Sequence, residues 1–361
     1  MENKIYTVIT GSGSSIPPRV VKNEEFVNHK FYQPGKQVPF DTPGEEITSK
    51  FEAITCIAER RYVDEKQTAS DLAVESAILA LDDAGLDKEN LDFIIVAHNF
   101  GDVKSGSTRI DNMPSLANKV KDKLAIKNPS TFCHDNISGC PGWTQAMIIA
   151  DAYIRAGFYQ KGLVIGADVL SRVSDPHDRD TMIFADGAGA VVVEAKESDV
   201  PVGILAHESR SDGGKYCNAL QMGSSWNPDY DQSEEVIKME GNKIYVYALS
   251  TVPGVVKKSI DKAGLDLSDI NKVFIHQANE KMDLAILERV YKLYKVKEVD
   301  YSIMPMSIRE LGNSSTATVP TLFDLVKKNK IEGQSIESGQ NIIFTSVGAG
   351  MNVNSIIYRI P

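Results

Sequence analysis

Apolar positions along this chain follow two periods, and the change from one to the other marks out its elements. Tyr6-Thr7-Val8-Ile9, Phe93-Ile94-Ile95-Val96, Leu163-Val164-Ile165, Val191-Val192-Val193 and Val273-Phe274-Ile275 are short continuous apolar runs. Such runs predict central strands with helices on both faces. Ile356 to Ile360 predicts a final strand. Between these runs the period lengthens. Residues 141–156 carry apolar or small side chains at Ala146, Ile149, Ala150, Tyr153 and Ile154, the spacing of one helix face. Leu72–Leu81 and Val252–Ile260 predict two further amphipathic helices.

Two of these stretches are copies of one unit. Asp82-Asp83-Ala84-Gly85-Leu86-Asp87 reappears half a chain later as Asp261-Lys262-Ala263-Gly264-Leu265-Asp266. Each copy follows an amphipathic helix and leads through a polar turn into an apolar strand. A glycine closing a helix is common by itself; the whole helix–AGLD–strand succession is not. Gly187-Ala188-Gly189 and Gly348-Ala349-Gly350 form a fainter echo. The expectation is an α/β protein of two similar halves, residues 1–198 and 199–361, joined near Asp199-Val200-Pro201-Val202-Gly203. Ligands in such sheets gather at the carboxyl ends of strands, which places a functional site at the seam between the halves.

Composition narrows the function. With 361 residues and 42% apolar content the chain can bury a large core. A net charge of −10 argues against broad nucleic-acid binding. No apolar run is long enough to span a membrane, and Met1-Glu2-Asn3-Lys4 does not open a signal peptide. Four cysteines without paired spacing point to a reducing compartment, here the cytoplasm. The histidines and cysteines show no metal-ligand spacing, so no metal is expected.

Against this background three residues carry candidate chemistry. Cys140, in Ile137-Ser138-Gly139-Cys140-Pro141-Gly142-Trp143, stands at the head of the helix predicted over 141–156. Pro141 suits a first helical turn and pushes Cys140 out of the α region, to the cap. There the helix dipole and free N–H groups favour thiolate, the reacting species. Cys56, Cys133 and Cys217 have no comparable flanks and are expected to be inert. His276 ends the Val273–Ile275 strand, and Asn313 follows Gly312 in a turn-like segment. Taken singly, each could be a structural histidine or a turn residue.

The motifs together resemble the β-ketoacyl-ACP synthase III family of the thiolase superfamily. The resemblance runs nearly end to end. It includes Ile9-Thr10-Gly11-Ser12-Gly13 with Ile16-Pro17, Ala69-Ser70-Asp71-Leu72-Ala73, Gly166 to Arg172, and Phe184 to Ala190. It continues through His276-Gln277-Ala278-Asn279, Gly312-Asn313-Ser314-Ser315, Val319-Pro320 and Gly348-Ala349-Gly350. The resemblance implies a thiolase-like fold, two pseudo-symmetric halves forming a five-layered αβαβα core, in a homodimer. It implies that Cys140 takes an acyl group and that a malonyl thioester on acyl carrier protein is then condensed by decarboxylation. His276 and Asn313 would donate to the thioester oxygen, and the backbone N–H groups of Cys140 and Ala349 would form an oxyanion hole. No cofactor is implied, the substrates carrying their own phosphopantetheine as CoA or carrier-protein thioesters.

By the same resemblance Arg172, Asn279 and Lys281 stand at the substrate entrance or the carrier docking surface. Met113 stands where the family reaches across the dimer to floor the acyl pocket, often with phenylalanine, which points away from an acetyl-sized primer. Lys50 and Ile54 replace the family's CoA-binding tryptophan and arginine, so the donor is either acyl-CoA by an altered route or acyl-ACP. The competing readings are acyl transfer or head-to-head condensation on the same fold, a ketosynthase of specialised metabolism, and a silent acyl-binding subunit.

Overall fold

The computed structural model describes residues 4–361; Met1–Asn3, the start of the segment expected to lack a targeting sequence, lie outside the described residues. The chain opens with β1 (Lys4–Ser15), β2 (Arg19–Lys22), α1 (Gly44–Thr55), β3 (Glu59–Tyr62), α2 (Ala69–Ala84) and β4 (Phe93–Ala97). It continues with α3 (Leu116–Lys123), β5 (Phe132–Asn136), α4 (Gly142–Arg155), β6 (Lys161–Val169) and β7 (Asp186–Ser198). The second half holds β8 (Gly203–Ser211), β9 (Leu220–Gly223), β10 (Val236–Met239), α5 (Gly241–Lys262), β11 (Ile270–Ile275) and α6 (Glu280–Leu293). It ends with α7 (Ile308–Leu311), α8 (Thr318–Lys327), β12 (Asn341–Gly348) and β13 (Asn352–Arg359).

Two mixed sheets form the frame. One has the order β1-β7-β6-β4-β5, the other β11-β12-β13-β8. Read from the far edge, the second sheet repeats the first: β8, β13, β12 and β11 take the places of β1, β7, β6 and β4. In both, two successive antiparallel pairs, β1–β7–β6 and β8–β13–β12, lead to a parallel partner, β4 and β11. The turn at Asp199–Val202 separates β7 from β8, so each sheet draws its strands from one side of that turn.

The repeated sequence unit has a conformational reason. Gly85 and Gly264 both adopt left-handed φ, +62° and +70°. Only glycine adopts this region freely, so it ends α2 and α5 in the same way and aims both chains into equivalent strands. Asp87 and Asp266 then begin equivalent short turns before β4 and β11.

Burial defines the layers. Trp143, Ala146 and Ala150 of α4, with Val319, Leu322 and Phe323 of α8, pack between the sheets against Ile95, Val164, Phe274 and Phe344. Helices α2 and α3 cover the outer face of the first sheet, and α5 and α6 that of the second. The result is the expected five-layered arrangement, with the two central helices as the shared core. The Pro- and Gly-containing segment Phe31–Glu46 packs Phe31 and Phe40 against α1 and Met182.

Candidate active site

The two central helices place the candidate residues. α4 starts at Gly142, one residue later than its hydrophobic period suggests, because Pro141 caps it and accepts from the Gln145 N–H at 2.9 Å. Cys140 lies just upstream, at the positive end of the helix. α8 is its counterpart in the second half, and Asn313 and Ser315 occupy the segment leading into it. The pseudo-symmetry therefore brings the nucleophile's loop and the Asn313 loop to the same end of the central layer.

Tight backbone packing fixes the nucleophile. Gly139 has φ +65°, and a Cβ there would stand 2.7 Å from the Ala349 nitrogen. A Cβ on Gly348 would stand 2.7 Å from the Cys140 nitrogen and 2.7 Å from Pro141 Cδ. The Gly348-Ala349 backbone thus lies directly against Cys140, and only glycine permits the approach.

Cys140, Asn313 and Ala349 line one cavity of about 190 Å³, open to solvent on one side. Phe100, Leu170, Phe184, Leu220, Met222 and Ile237 give it an apolar wall. Asn313 Oδ1 accepts the Ser315 N–H at 2.8 Å, which leaves the Nδ2 donor for a ligand. His276 does not line this cavity. It is almost fully buried, its Nδ1 2.7 Å from Thr318 Oγ1, and its backbone N–H donates to the Thr345 carbonyl at 2.9 Å. Burial drives the imidazole pKa down to about 3, so the ring is neutral at physiological pH.

The thiol departs from its expected character. Cys140 opens into the cavity, yet its sulfur is enclosed by neighbours, and burial pushes the pKa up to about 11. The Ser315 hydroxyl, 3.5 Å from Sγ, opposes this, and the Asp168 carboxylate adds to it. The helix N-terminus therefore works against a desolvation cost instead of producing a standing thiolate. Cys133 is also pushed up to about 11 by burial, so ionisation does not distinguish the two thiols. Position does.

Four residues that local sequence reasoning did not single out complete the site. Asp168 accepts the Asn99 backbone N–H and Nδ2, each at 2.8 Å. The other Nδ2 proton of Asn99 goes to Ser315 Oγ at 2.9 Å. Ser315 Oγ accepts there, so its own proton is free to point at Cys140 Sγ. Ser315 holds φ +54°, a strained value for a non-glycine residue, which its network sustains. Thr318 Oγ1 lies 3.1 Å from the Ser315 carbonyl, so a single residue links Cys140 to the His276 support. Its place two residues after Asn313, in the Gly312-Asn313-Ser314-Ser315 motif, is the signal the sequence offered for Ser315.

The expected entrance residues make contacts within the chain. The Arg172 guanidinium donates to the Val103 carbonyl and to the Asp64 carbonyl (2.7 Å), tying two loops together. Asn279 caps α6 by accepting the Met282 N–H at 3.1 Å. The exposed Lys281 donates to the Ala53 carbonyl at 2.6 Å, beside the exposed Ile54. Lys50 is paired with Glu46 at 2.5 Å. Met113 is 90% exposed and does not reach the cavity of its own chain.

The fold and site together define a thiolase-like condensing enzyme, an acyltransferase. Family models for 3-oxoacyl-[acyl-carrier-protein] synthase III match residues 135–213, and for its C-terminal part residues 260–360. The β-ketoacyl-[acyl-carrier-protein] synthase III of Staphylococcus epidermidis is 30% identical over 97% of this chain and 98% of its own. That of Cereibacter sphaeroides is 32% identical over 98% and 99%. The crystal structure of 3-oxoacyl-[acyl-carrier-protein] synthase III from Aquifex aeolicus superposes with a TM-score of 0.78 at 28% identity, covering 98% of this chain and 99% of that one. The chain belongs to the 3-oxoacyl-[acyl-carrier-protein] synthase III family.

Proposed function

We propose that the enzyme loads an acyl group on Cys140 and condenses it with a malonyl thioester. The Cys140 sulfur attacks the donor thioester carbonyl, the donor thiol leaves with the proton, and an acyl-cysteine remains. The malonyl thioester then loses CO₂, and the resulting enolate carbon attacks the acyl-cysteine carbonyl. Cleavage of the C–S bond releases a 3-oxoacyl thioester and expels the Cys140 thiolate, which takes up a proton from water to return the thiol. Loss of CO₂ drives the condensation, so these steps call for no metal or redox cofactor.

Each group has a stated task. The Cys140 and Ala349 N–H groups would receive the oxyanion of the acyl-cysteine step; their loops are locked together by the Gly139 and Gly348 contacts. Asn313 Nδ2 and His276 Nε2 would donate to the malonyl thioester oxygen as it becomes an enolate. Donation through Nε2 requires Nδ1 to accept from Thr318. The 2.7 Å Nδ1–Oγ1 distance, against 3.1 Å to the Ser315 carbonyl, suits that arrangement. Donors of this kind are worth roughly 3 kcal/mol each in a dry site. The observation that carries the reading is the convergence of a helix-terminal thiol, an Asn donor and the Ala349 backbone on one apolar cavity.

The partners follow from the same reading. The malonyl donor is acyl carrier protein, and exposed Lys281 beside α1 offers a cation to its acidic surface. Lys50, paired with Glu46, leaves little free positive charge there for CoA phosphates, which favours acyl-ACP or an altered CoA route. Homodimerisation would use β5, which pairs on one side only and exposes Phe132 and, just beyond it, Ile137. The exposed Met113 would then face the partner's cavity. Among the described residues no helix is long and apolar enough to cross a membrane; the cytoplasm is the compartment this chemistry suits.

Intact-mass spectrometry after exposure to a ladder of acyl-CoA and acyl-carrier thioesters tests the reading. The expected result is a single adduct on wild type, none on Cys140→Ala, and an adduct that cannot be condensed on His276→Ala. An adduct persisting on Cys140→Ala would overturn the nucleophile.

A further inference from the structure

Four of the cavity-lining residues, Leu220, Gln221, Met222 and Ile237, come from the β9–β10 hairpin. That hairpin is a separate two-stranded unit, hydrogen-bonded to neither main sheet. A lone two-stranded ribbon is marginal in water, so something else must hold it. One tie is the Ile237 N–H donating to the Val173 carbonyl at 2.8 Å.

The stronger tie lies one residue further along. Lys238 follows Ile237 on β10, so its side chain leaves the opposite face of the strand. It is buried, an unusual place for a lysine. Its ammonium contacts Asp175 Oδ2, lies 3.6 Å from Asp178 Oδ2, and stands 4.4 Å from the centre of the Trp226 ring. Trp226 belongs to the segment joining β9 to β10. Its indole N–H donates to Asp178 at 2.6 Å and its backbone N–H to Asp175 at 3.0 Å. The Ser225 hydroxyl donates to the other Asp175 oxygen at 2.8 Å. Both a strand and the loop of the hairpin are therefore pinned to residues 175–178, and that segment joins the cavity residues Leu170 and Phe184.

A buried ion cluster is a poor way to gain stability, because desolvation offsets much of the attraction. What it supplies is one geometry, since the Lys238, Ser225 and Trp226 contacts to the two carboxylates form together only when the partners sit as they do.

We propose that the Lys238–Asp175–Asp178 cluster is the clasp that fixes the β9–β10 hairpin as a wall of the cavity, and thereby sets which acyl chains Cys140 accepts. The proposal rests on the reading of this cavity as the acyl site. Lys238 acts through the hairpin and touches no substrate; it is a positioning residue. Without its charge, two buried carboxylates repel, the hairpin moves away, and the wall recedes to admit longer chains.

The test compares full-length wild type, Lys238→Met, Lys238→Arg and Asp178→Asn. The measured quantity is the rate of adduct formation on Cys140 for straight-chain acyl thioesters of increasing length. In Lys238→Met the ratio of long-chain to short-chain rates rises by about tenfold, the scale of a few methylene contacts. Lys238→Arg restores the charge and stays close to wild type. Asp178→Asn keeps the Lys238–Asp175 contact and shifts the ratio in the same direction by less. Should Lys238→Met fail to fold, Asp178→Asn carries the test: a raised ratio supports the clasp and an unchanged one overturns it. A uniform loss of rate at every chain length, with lowered Tm, would also overturn it, leaving the cluster a stabilising element. No adduct on wild type from any donor would overturn the acyl reading itself and this proposal with it, whereas wild-type loading with unaltered variant profiles overturns the clasp alone.

Discussion

The Ser315 hydroxyl stands 3.5 Å from the Cys140 sulfur, and its own lone pair is already occupied by Asn99 Nδ2 at 2.9 Å. The proton of Ser315 is thus directed at the sulfur by a chain that begins at the Asp168 carboxylate. Burial opposes ionisation of this thiol, so the hydroxyl is among the few groups that favour the thiolate.

Ser315→Ala is therefore expected to raise the Cys140 pKa further. A hydrogen bond to a charged group is worth about 1.5–3 kcal/mol, so alkylation of Cys140 near pH 8 should slow by about tenfold or more. Iodoacetamide kinetics against pH read this directly. An unshifted profile would show that the hydroxyl does not support the thiolate.

The buried imidazole of His276 makes a pH prediction of defined sign. Its folded pKa is about 3, against about 6.5 in the unfolded chain. As pH falls below about 6.5 the unfolded chain gains a proton that the folded protein refuses, so this group costs stability progressively down to pH 3. At pH 5 the cost is about 2 kcal/mol. Urea unfolding of His276→Gln should show a pH 7 to pH 5 loss smaller than that of wild type by about this amount. An identical loss in the two proteins would mean that His276 is protonated in the folded state.

Asn313 and His276 should fail differently. Asn313 Oδ1 anchors the Ser315 N–H while Nδ2 faces the cavity, so Asn313→Ala removes a donor and loosens the Cys140 support. Acyl loading and condensation should both fall, condensation by about 10²–10³. His276 touches that support only through Thr318, and His276→Ala should lose condensation with loading kept within a few-fold. Single-turnover loading measured separately from product formation distinguishes them; equal effects on both steps in both variants would contradict the division.

Much of this was legible beforehand because it rests on local rules. The left-handed caps at Gly85 and Gly264 forced glycine into both copies of the repeat, and the apolar runs marked the strands. Cys140 was visible because Pro141 and the helix period fixed its position. The site's polar scaffold was not legible. Asn99, Asp168, Ser315 and Thr318 are residue types that fill turns and caps everywhere, and only their burial gives them a role. The contacts of Arg172 were equally hidden: the sequence shows a cation in a matching segment, but not that its guanidinium donates to the Val103 and Asp64 carbonyls. The thiol's ionisation was misjudged because a helix terminus is visible in sequence and desolvation is not.

Close packing predicts a sharp contrast between two glycines. An alanine at Gly348 would drive its Cβ to 2.7 Å from the Cys140 nitrogen, against backbone that cannot yield. Gly348→Ala should cost about 1–3 kcal/mol in stability and about 100-fold in acyl loading, because the nucleophile is displaced. Gly254, inside α5, meets nothing within 4 Å, and Gly254→Ala should stabilise by about 0.5–1 kcal/mol. Thermal unfolding and loading rates of the pair test whether space around the nucleophile is the limiting factor.

The free edge of β5 supplies the last prediction. Its backbone pairs with β4 on one side only, leaving a row of donors and acceptors on the other. Phe132 at its start and Ile137 just past its end are both exposed, as is Met113 nearby in sequence to α3. An unprotected edge flanked by apolar side chains suits pairing with the same strand of a second copy, the two-fold arrangement of an isologous interface. Sedimentation of wild type should give a dimer, and Ile137→Lys combined with Phe132→Lys should shift it toward monomer by placing like charges across the axis. Because Met113 would reach the neighbouring cavity only in the dimer, the monomeric variant should also lose chain-length discrimination in acyl loading. A monomeric wild type would remove both expectations, and a dimer unaffected by the two lysines would place the interface elsewhere.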